Sequence, residues 1–300
     1  MIKKKLKDLQ GKGLITQVNK LLRIFSLKLS SEYQIQKSVE ITRIKYLFSL
    51  IRPVMTGHTL MRIGPKNDGG YLVPNDLSKV EYCFSPGVGG SYLFEQNLSE
   101  YGISSFLADP SVKLPQVISE KIWFDQTAIT VASGDKFSFE MFDKNYKGTI
   151  HQTAGLSLQD WINSKIDSSE KDLILQLDIE GGEYLTLLST PIDFLKRFRI
   201  LVVEFHSFHR VRNDYFLENI AIPVFEKLEK VFDVVHLHPN NDAQSIPFLS
   251  YYLPHALEVT FHNKERRISG PLFAEYIEHD LDNPTVQKNE DVVFDSKLFS

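Results

Sequence analysis

The sequence predicts an α/β protein built on a seven-stranded, mostly parallel, Rossmann-like sheet with a helical N-terminal extension. Three observations lead there. From about residue 80 onward, short apolar runs alternate with stretches of helical periodicity. Several runs stay apolar through most of their length and turn polar only at their C-terminal ends, the pattern of parallel strands covered on both faces. A glycine-rich turn, FSPGVGGSYLFE, follows the first run, and an acidic residue ends the second about 20 positions later.

The strand candidates are VEYCFSP (80–86), SSFLADP (104–110), AITVAS (128–133), DLILQLDIE (172–180), FRILVVEFH (198–206), FDVVHLHP (232–239) and LEVTFHN (257–263). Helical stretches at roughly 91–101, 111–121, 157–165, 182–196 and 214–231 fit between them. Only a loop, NNDAQSIPFLSYYLPHA, joins the last two strands, which admits an antiparallel pair. Residues after about 268, with Pro271, Pro284 and mixed charge, read as a tail along the surface.

Residues 1–55 read as a basic helical extension and 56–300 as the main domain. The first 50 residues carry 11 Lys/Arg against 3 Asp/Glu, a net of +8 in a chain whose total is −4, so the remainder stands at −12. Leu14, Val18, Leu22, Phe25 and Leu29 recur at helical spacing, and a second helical pattern runs from about Ile35 to Ile51 before Pro53 stops it. A basic amphipathic helix of this kind packs on its own domain or on a second subunit, giving a homo-oligomer, or touches an anionic surface or a phosphorylated ligand; packing is the plainer reading.

A single cysteine, Cys83, rules out an intramolecular disulfide framework, and no CxxC or Cys/His cluster suggests structural zinc. No apolar run approaches the roughly 20 residues of a membrane span, and charges interrupt the N-terminus where a signal peptide would have its apolar core. The expectation is a cytoplasmic protein. The acidic main domain lacks the basic stripe and aromatic pattern of a nucleic-acid binder.

Gly87, Gly89 and Gly90 lie where glycine permits a tight turn and close approach of a ligand to the backbone. Asp109 stands about 20 residues on, where a carboxylate accepts hydrogen bonds from ribose hydroxyls. The pair implies a nucleoside ligand. Because the turn reads GxGG and not GxGxxG, it favours an adenosine cofactor without a diphosphate, such as S-adenosylmethionine; an NAD-type oxidoreductase and a non-catalytic scaffold are the alternatives.

The order RIGPKNDGGYLVP, YCFSPGVGGSYLFE, FLADPS, LSLQDWI, LQLDIEGGEY, LVVEFH, VVHLHPNN and LPHALEVTFH, over roughly residues 60–265, resembles the FkbM-type methyltransferases. DIEGGE is the most specific segment. The resemblance implies a class I fold, S-adenosylmethionine as cofactor and O-methylation, with Gly87, Gly89 and Asp109 lining the cofactor site and Glu95 steadying the glycine loop. Asp68, in the NDGGY turn, either closes over the cofactor or merely belongs to a glycine-permitted turn. The acceptor it suggests is a sugar hydroxyl, on a nucleotide-linked heptose or hexose or a glycan, in the making of capsule or other surface polysaccharide.

A hydroxyl is a poor nucleophile, so its proton must go to a positioned base, worth about 10²- to 10⁴-fold, or a divalent metal must stabilise the alkoxide. In this fold Asp178 ends the fourth strand beside the first and faces cofactor and substrate, with Glu180 at the same parity; Asp178, His206 and Glu180 are the candidate catalytic groups. Glu204 with His206, and His236 with His238, share parities on the next two strands. Asp178, Glu204, His206 and His238 make a candidate site for Mn²⁺ or Fe²⁺ more than Mg²⁺. Asn240, Asn241 and Arg210 are candidates for gripping the sugar or its phosphates. Each has a plainer role: Glu183 complements a helix N-terminus, His236 is a sheet histidine, His206 a loop histidine, Glu204 holds an amide or an arginine, the asparagines form a turn and the arginines are solvated.

Overall fold

A computed structural model of the chain describes residues 39–142, 148–275 and 277–299. The amphipathic pattern at residues 14–29 lies outside them, as does the start of the second helical pattern; the rest of that pattern is helix α1, Ile41–Leu50. Its buried Ile44, Leu47 and Phe48 follow helical spacing. Phe48 meets Phe208, Phe294 and Phe299 edge-on, so this part of the N-terminal arm is built into the body of the protein.

The centre is an eight-stranded sheet. Its strands are β1 (Tyr82–Pro86), β2 (Ser104–Ala108), β3 (Val117–Ser119), β4 (Ile122–Asp125), β5 (Leu173–Leu177), β6 (Phe198–Phe205), β7 (Phe232–Pro239) and β8 (Leu257–Asn263), in the spatial order β7-β8-β6-β5-β1-β2-β4-β3. The pairs β1–β2, β2–β4, β1–β5 and β5–β6 are parallel. Only β8, between β6 and β7, and the short edge strand β3 run antiparallel to their neighbours. This is an α/β sheet compatible with a Rossmann-like fold. From β1 the chain moves outward through β2 and β4 on one side and later through β5 and β6 on the other, so the strand order reverses between β1 and β5, where ligands bind in such sheets.

Both sheet faces are covered, as the apolar runs require. In β5, Leu173, Leu175 and Leu177 enter one core with Trp161 of α3 (Leu158–Asn163), Leu187 of α4 (Glu183–Ser189) and Phe225 of α6 (Ile222–Glu229), while Ile174 enters another with Val73, Leu98 and Val202. The second core is roofed by α2 (Leu93–Glu100) and the hairpin of Leu60–Ile63 with Tyr71–Pro74. Fully burying an aliphatic side chain contributes about 1.5–3 kcal/mol, so these two layers hold the strand ends in register.

The structure departs from the sequence reading at several points. The expected helix at 111–121 is absent because Pro115 interrupts it; the chain runs extended and Val117–Ser119 forms β3. The third strand of the parallel set is Ile122–Asp125, and of the expected strand at 128–133 only Ile129–Thr130 is extended, paired with Leu156–Ser157 outside the central sheet. The helix expected over 182–196 breaks at Pro191 into α4 and α5 (Ile192–Leu195). The stretch 214–231 passes through a π turn, Leu217–Ala221, just before Pro223, whose missing N–H interrupts the regular ladder. The loop before β8 folds into a hairpin of Ile246–Phe248 with Tyr251–Leu253. The tail does more than hug the surface: Phe294, Leu298 and Phe299 are buried in the main core.

Gly87 fixes how β1 and β5 end. A Cβ placed on it would lie 1.4 Å from the carbonyl oxygen of Asp178, and its φ is +89°, whereas Gly89, at φ +56°, has nothing within 4 Å of its Cβ position. Gly87→Ala is expected to cost more than about 3 kcal/mol or to prevent soluble expression, and Gly89→Ala about 1–2 kcal/mol. Equal thermal melts for the two variants would contradict this packing.

Candidate functional site

The carboxyl ends of β2, β1 and β5 are tied by backbone hydrogen bonds. Gly87 N donates to the Ala108 carbonyl at 2.8 Å, and Asp178 N donates to the Pro86 carbonyl at 3.1 Å. Over them opens a cavity of about 830 Å³, lined by the glycine turn, Asp109, Asp178 and Glu180, with Asp68 also lining it. That volume falls in the roughly 300–1,000 Å³ range of small-molecule sites. Ala128, Ile129, Phe137 and Phe139 line it as well and give it apolar wall, Phe137 and Phe139 coming from a hairpin of Lys136–Phe142 with Gly148–Ala154.

Asp109 holds the loops that flank it. Its Oδ2 accepts from Gly89 N at 2.9 Å and its Oδ1 from the amide and hydroxyl of Ser111 at 2.7 and 2.6 Å. A carboxylate has about four acceptor positions, so one remains. Glu95 meets the end of β1 at Ser85, not the glycines themselves. Ser85 Oγ lies 2.6 Å from Gln176 Oε1, and Gln176 Nε2 donates to Tyr71 Oη at 3.4 Å. A hydroxyl has one proton, so Ser85 cannot donate to both neighbours; a protonated Glu95 donating to Ser85 gives the chain one consistent direction. Burial pushes Glu95 up to about 7 against the pull of the Ser85 bond.

Beside Asp178 the side chains form an acidic nest around one imidazole. His206 Nδ1 lies 3.1 Å from Glu183 Oε1, which also accepts from the amides of Ile179 and Gly181 at 2.9 and 3.0 Å. Its Nε2 faces Glu180 Oε2 at 3.4 Å and Asp178 Oδ1 and Glu204 Oε1 at 3.8 Å each. Burial pushes Asp178 up to about 8; His206 opposes this, while Glu183, Glu180 and Asp68 reinforce it. Burial works to lower His206, but the Glu183 bond and charge, with Glu204 and Asp178, overcome it and raise the imidazole to about 10. Burial, then the charges of Asp178 and Glu258, hold Glu204 well above the usual carboxylate range. Glu180 and Ser207, which flank the nest, adopt left-handed backbone at φ 55° and 54°, a costly conformation for residues other than glycine.

The structure thus gathers Gly87, Gly89, Gly90, Glu95, Asp109, Asp68, Asp178 and Glu180 around one cavity, with Glu204 and His206 adjoining through Asp178. It leaves three candidates elsewhere. His238 does not join, because β8 intervenes: Glu204 and His238 both align with Glu258, two strand spacings or about 9–10 Å apart. His238 instead faces Glu258 and Asp291. Asn241 binds the C-terminal tail through the Val286 amide and the carbonyls of Val286, Asn289 and Glu290, and Arg210 stacks over Phe216. Asn240 reaches the nest but is engaged, donating to Glu204 at 2.8 Å.

Sequence reasoning missed the orienting bond from Glu183, read only as a helix-start residue, and the relay through Gln176 and Tyr71. A glutamine inside LILQL was the available signal. Phe137 and Phe139 gave none, since their hairpin is local and apart from the sheet. No protein-family model and no curated protein matches the chain.

Glu95 gives a pH signature. Its folded pKa of about 7 lies above the ordinary 4.5, so the folded state keeps a proton that the unfolded chain has lost between those values. That stabilisation is fully present below pH 4.5 and is lost as pH rises through 7, a change of up to about 3 kcal/mol. Glu95→Gln, neutral and of the same shape, is expected to melt close to wild type near pH 5 and several degrees higher at pH 8; a pH-independent difference would contradict a buried, protonated Glu95.

Proposed function

We propose that this chain is an S-adenosylmethionine-dependent O-methyltransferase of the FkbM kind its sequence resembles, built on a class I version of the observed sheet. The observation that carries the reading is that the glycine turn with Asp109, and Asp178 with Glu180 at the edge of the carboxylate–imidazole nest, line one cavity at the switch point of the sheet.

The residues present fit the cofactor. Gly89 and Gly90 leave open space where side chains would stand. Asp109 retains an acceptor for a ribose hydroxyl, and Ala128, Ile129, Phe137 and Phe139 offer apolar wall to a purine. When bound, the cofactor supplies an electrophilic methyl group on a sulfonium. The chain's own work is to exclude water, seat an acceptor hydroxyl and take its proton. Asp178 is suited to the last task because it lines the cavity and no hydrogen bond to its carboxylate ties it down among the described residues; His206, with its Nδ1 fixed by Glu183, turns Nε2 toward it. A carboxylate raised to about 8 sits near the working range of a general base. The sugar acceptor, on a nucleotide or in a glycan, is supported by the resemblance alone.

Calorimetry with S-adenosylmethionine is expected to show one site, weakened at least tenfold in Asp109→Ala. Binding of NADH with no response to S-adenosylmethionine would overturn the reading. A screen of nucleotide sugars should then give a product heavier by one methyl group, and Asp178→Asn is expected to slow its formation at least 100-fold while sparing cofactor affinity.

A further inference from the structure

The nest gathers four carboxyl groups, from Asp178, Glu180, Glu183 and Glu204, around the single imidazole of His206. Glu183 is fully buried, and its Oε2 has no hydrogen-bond partner among the described residues. Glu204, with 6% of its side chain exposed, receives a hydrogen bond from Asn240. Among the described residues no lysine or arginine pairs with Asp178, Glu180, Glu183 or Glu204. Carboxylates crowded in this way need a proton or a cation among them.

The spacing favours a cation. The three carboxylate oxygens facing His206 Nε2 stand 3.4–3.8 Å away, longer than the roughly 2.7–3.2 Å of an N–H···O bond. Ligand atoms about 2.0–2.2 Å from a shared ion sit roughly 3.0–3.6 Å from one another; Glu180 stands at that spacing, and Asp178 and Glu204 stand slightly beyond it, within a small side-chain adjustment. Of these groups, Asp178 and His206 also belong with Glu183, and without Glu204, to a set whose ligand atoms fall within 4.8 Å of one another. The bond from His206 Nδ1 to Glu183 leaves Nε2 free to ligate, the arrangement in which a carboxylate sets the orientation and basicity of a metal-bound imidazole.

We propose that His206 Nε2, Asp178 and Glu204 bind a divalent cation at the edge of the cavity, with Glu180 closing over it from its exposed turn and Glu183 acting as a positioning residue behind His206. A single imidazole among carboxylates suits Mn²⁺ better than Mg²⁺, and without His238 the set has less nitrogen character than Fe²⁺ sites favour. The cation site stands on its own geometry; with a cation bound, Asp178 is its ligand and the cation takes over from it the task of lowering the acceptor hydroxyl's pKa, a use that rests on the methyltransferase reading.

The test is a titration of the metal-free full-length protein with Mn²⁺, following the loss of the free-ion electron paramagnetic resonance signal. One site per chain is expected, weakened at least tenfold in His206→Gln and in Asp178→Asn, about tenfold in Glu183→Gln, and unchanged in His238→Gln. Thermal melts establish that each variant is folded. No binding at millimolar Mn²⁺, or binding that His206→Gln and Asp178→Asn leave intact, overturns the site. Calorimetry with S-adenosylmethionine on the same metal-free sample separates the two readings: cofactor binding without Mn²⁺ binding sinks the cation site alone, and Mn²⁺ binding without cofactor binding sinks the methyltransferase and leaves the cation site standing.

Discussion

The site depends on a bare stretch of backbone, where Gly87 lies against the carbonyl of Asp178. Any side chain at position 87 would occupy the volume of that carbonyl oxygen. Because the contact is backbone to backbone, it holds the ends of β1 and β5 together whatever the neighbouring side chains do. Asp178 N closes the same junction by donating to Pro86. One glycine therefore sets the geometry of both halves: the turn that runs on to Gly89 and Gly90, and the direction in which Asp178 leaves the sheet. Placed at the reversal of strand order, that junction becomes the floor of the cavity of about 830 Å³.

A second constraint is electrostatic, and a comparison within the molecule shows its meaning. Asp76 also lies among histidines, His58 and His262, but Arg199 and Arg266 pair with it and hold its carboxyl low despite burial. That cluster is internally compensated and reads as a structural clasp between the N-terminal hairpin region and β8. Among the described residues no guanidinium reaches Asp178, burial raises the carboxyls, and the imidazole of His206 is held by a glutamate whose second oxygen finds no hydrogen-bond partner there. Uncompensated buried charge is expensive, and perturbed groups that line a cavity are the ordinary mark of a chemical site.

Much of this was legible in the sequence because it is local. Runs such as LILQL and FRILVVEF are apolar on both parities, so their two-sided burial follows from composition. The glycine turn and Asp109 are separated by one strand–helix–strand step, and their meeting follows from the parallel register of β1 with β2. What was not legible is order across the sheet. His236 and His238 end a strand with the right polarity, yet the insertion of β8 between β6 and β7 moves His238 away from Glu204, and no periodicity reports which strand lies between two others. Pro115 was a readable stop signal that outweighs the helical look of its neighbours. The double role of Glu183 was hidden because a helix-start carboxylate and a histidine-orienting carboxylate have the same sequence signature; only the approach of His206 from β6 tells them apart.

The central claim, that the glycine turn and the acidic nest serve a single bound ligand, is tested most directly by a crystal structure of the complex with S-adenosylhomocysteine. The account expects the ribose at Asp109, the adenine against the apolar wall that includes Phe137 and Phe139, and the sulfur facing Asp178 and His206. A ligand bound away from the Gly87 turn, or bound there with its sulfur directed away from Asp178, would contradict it.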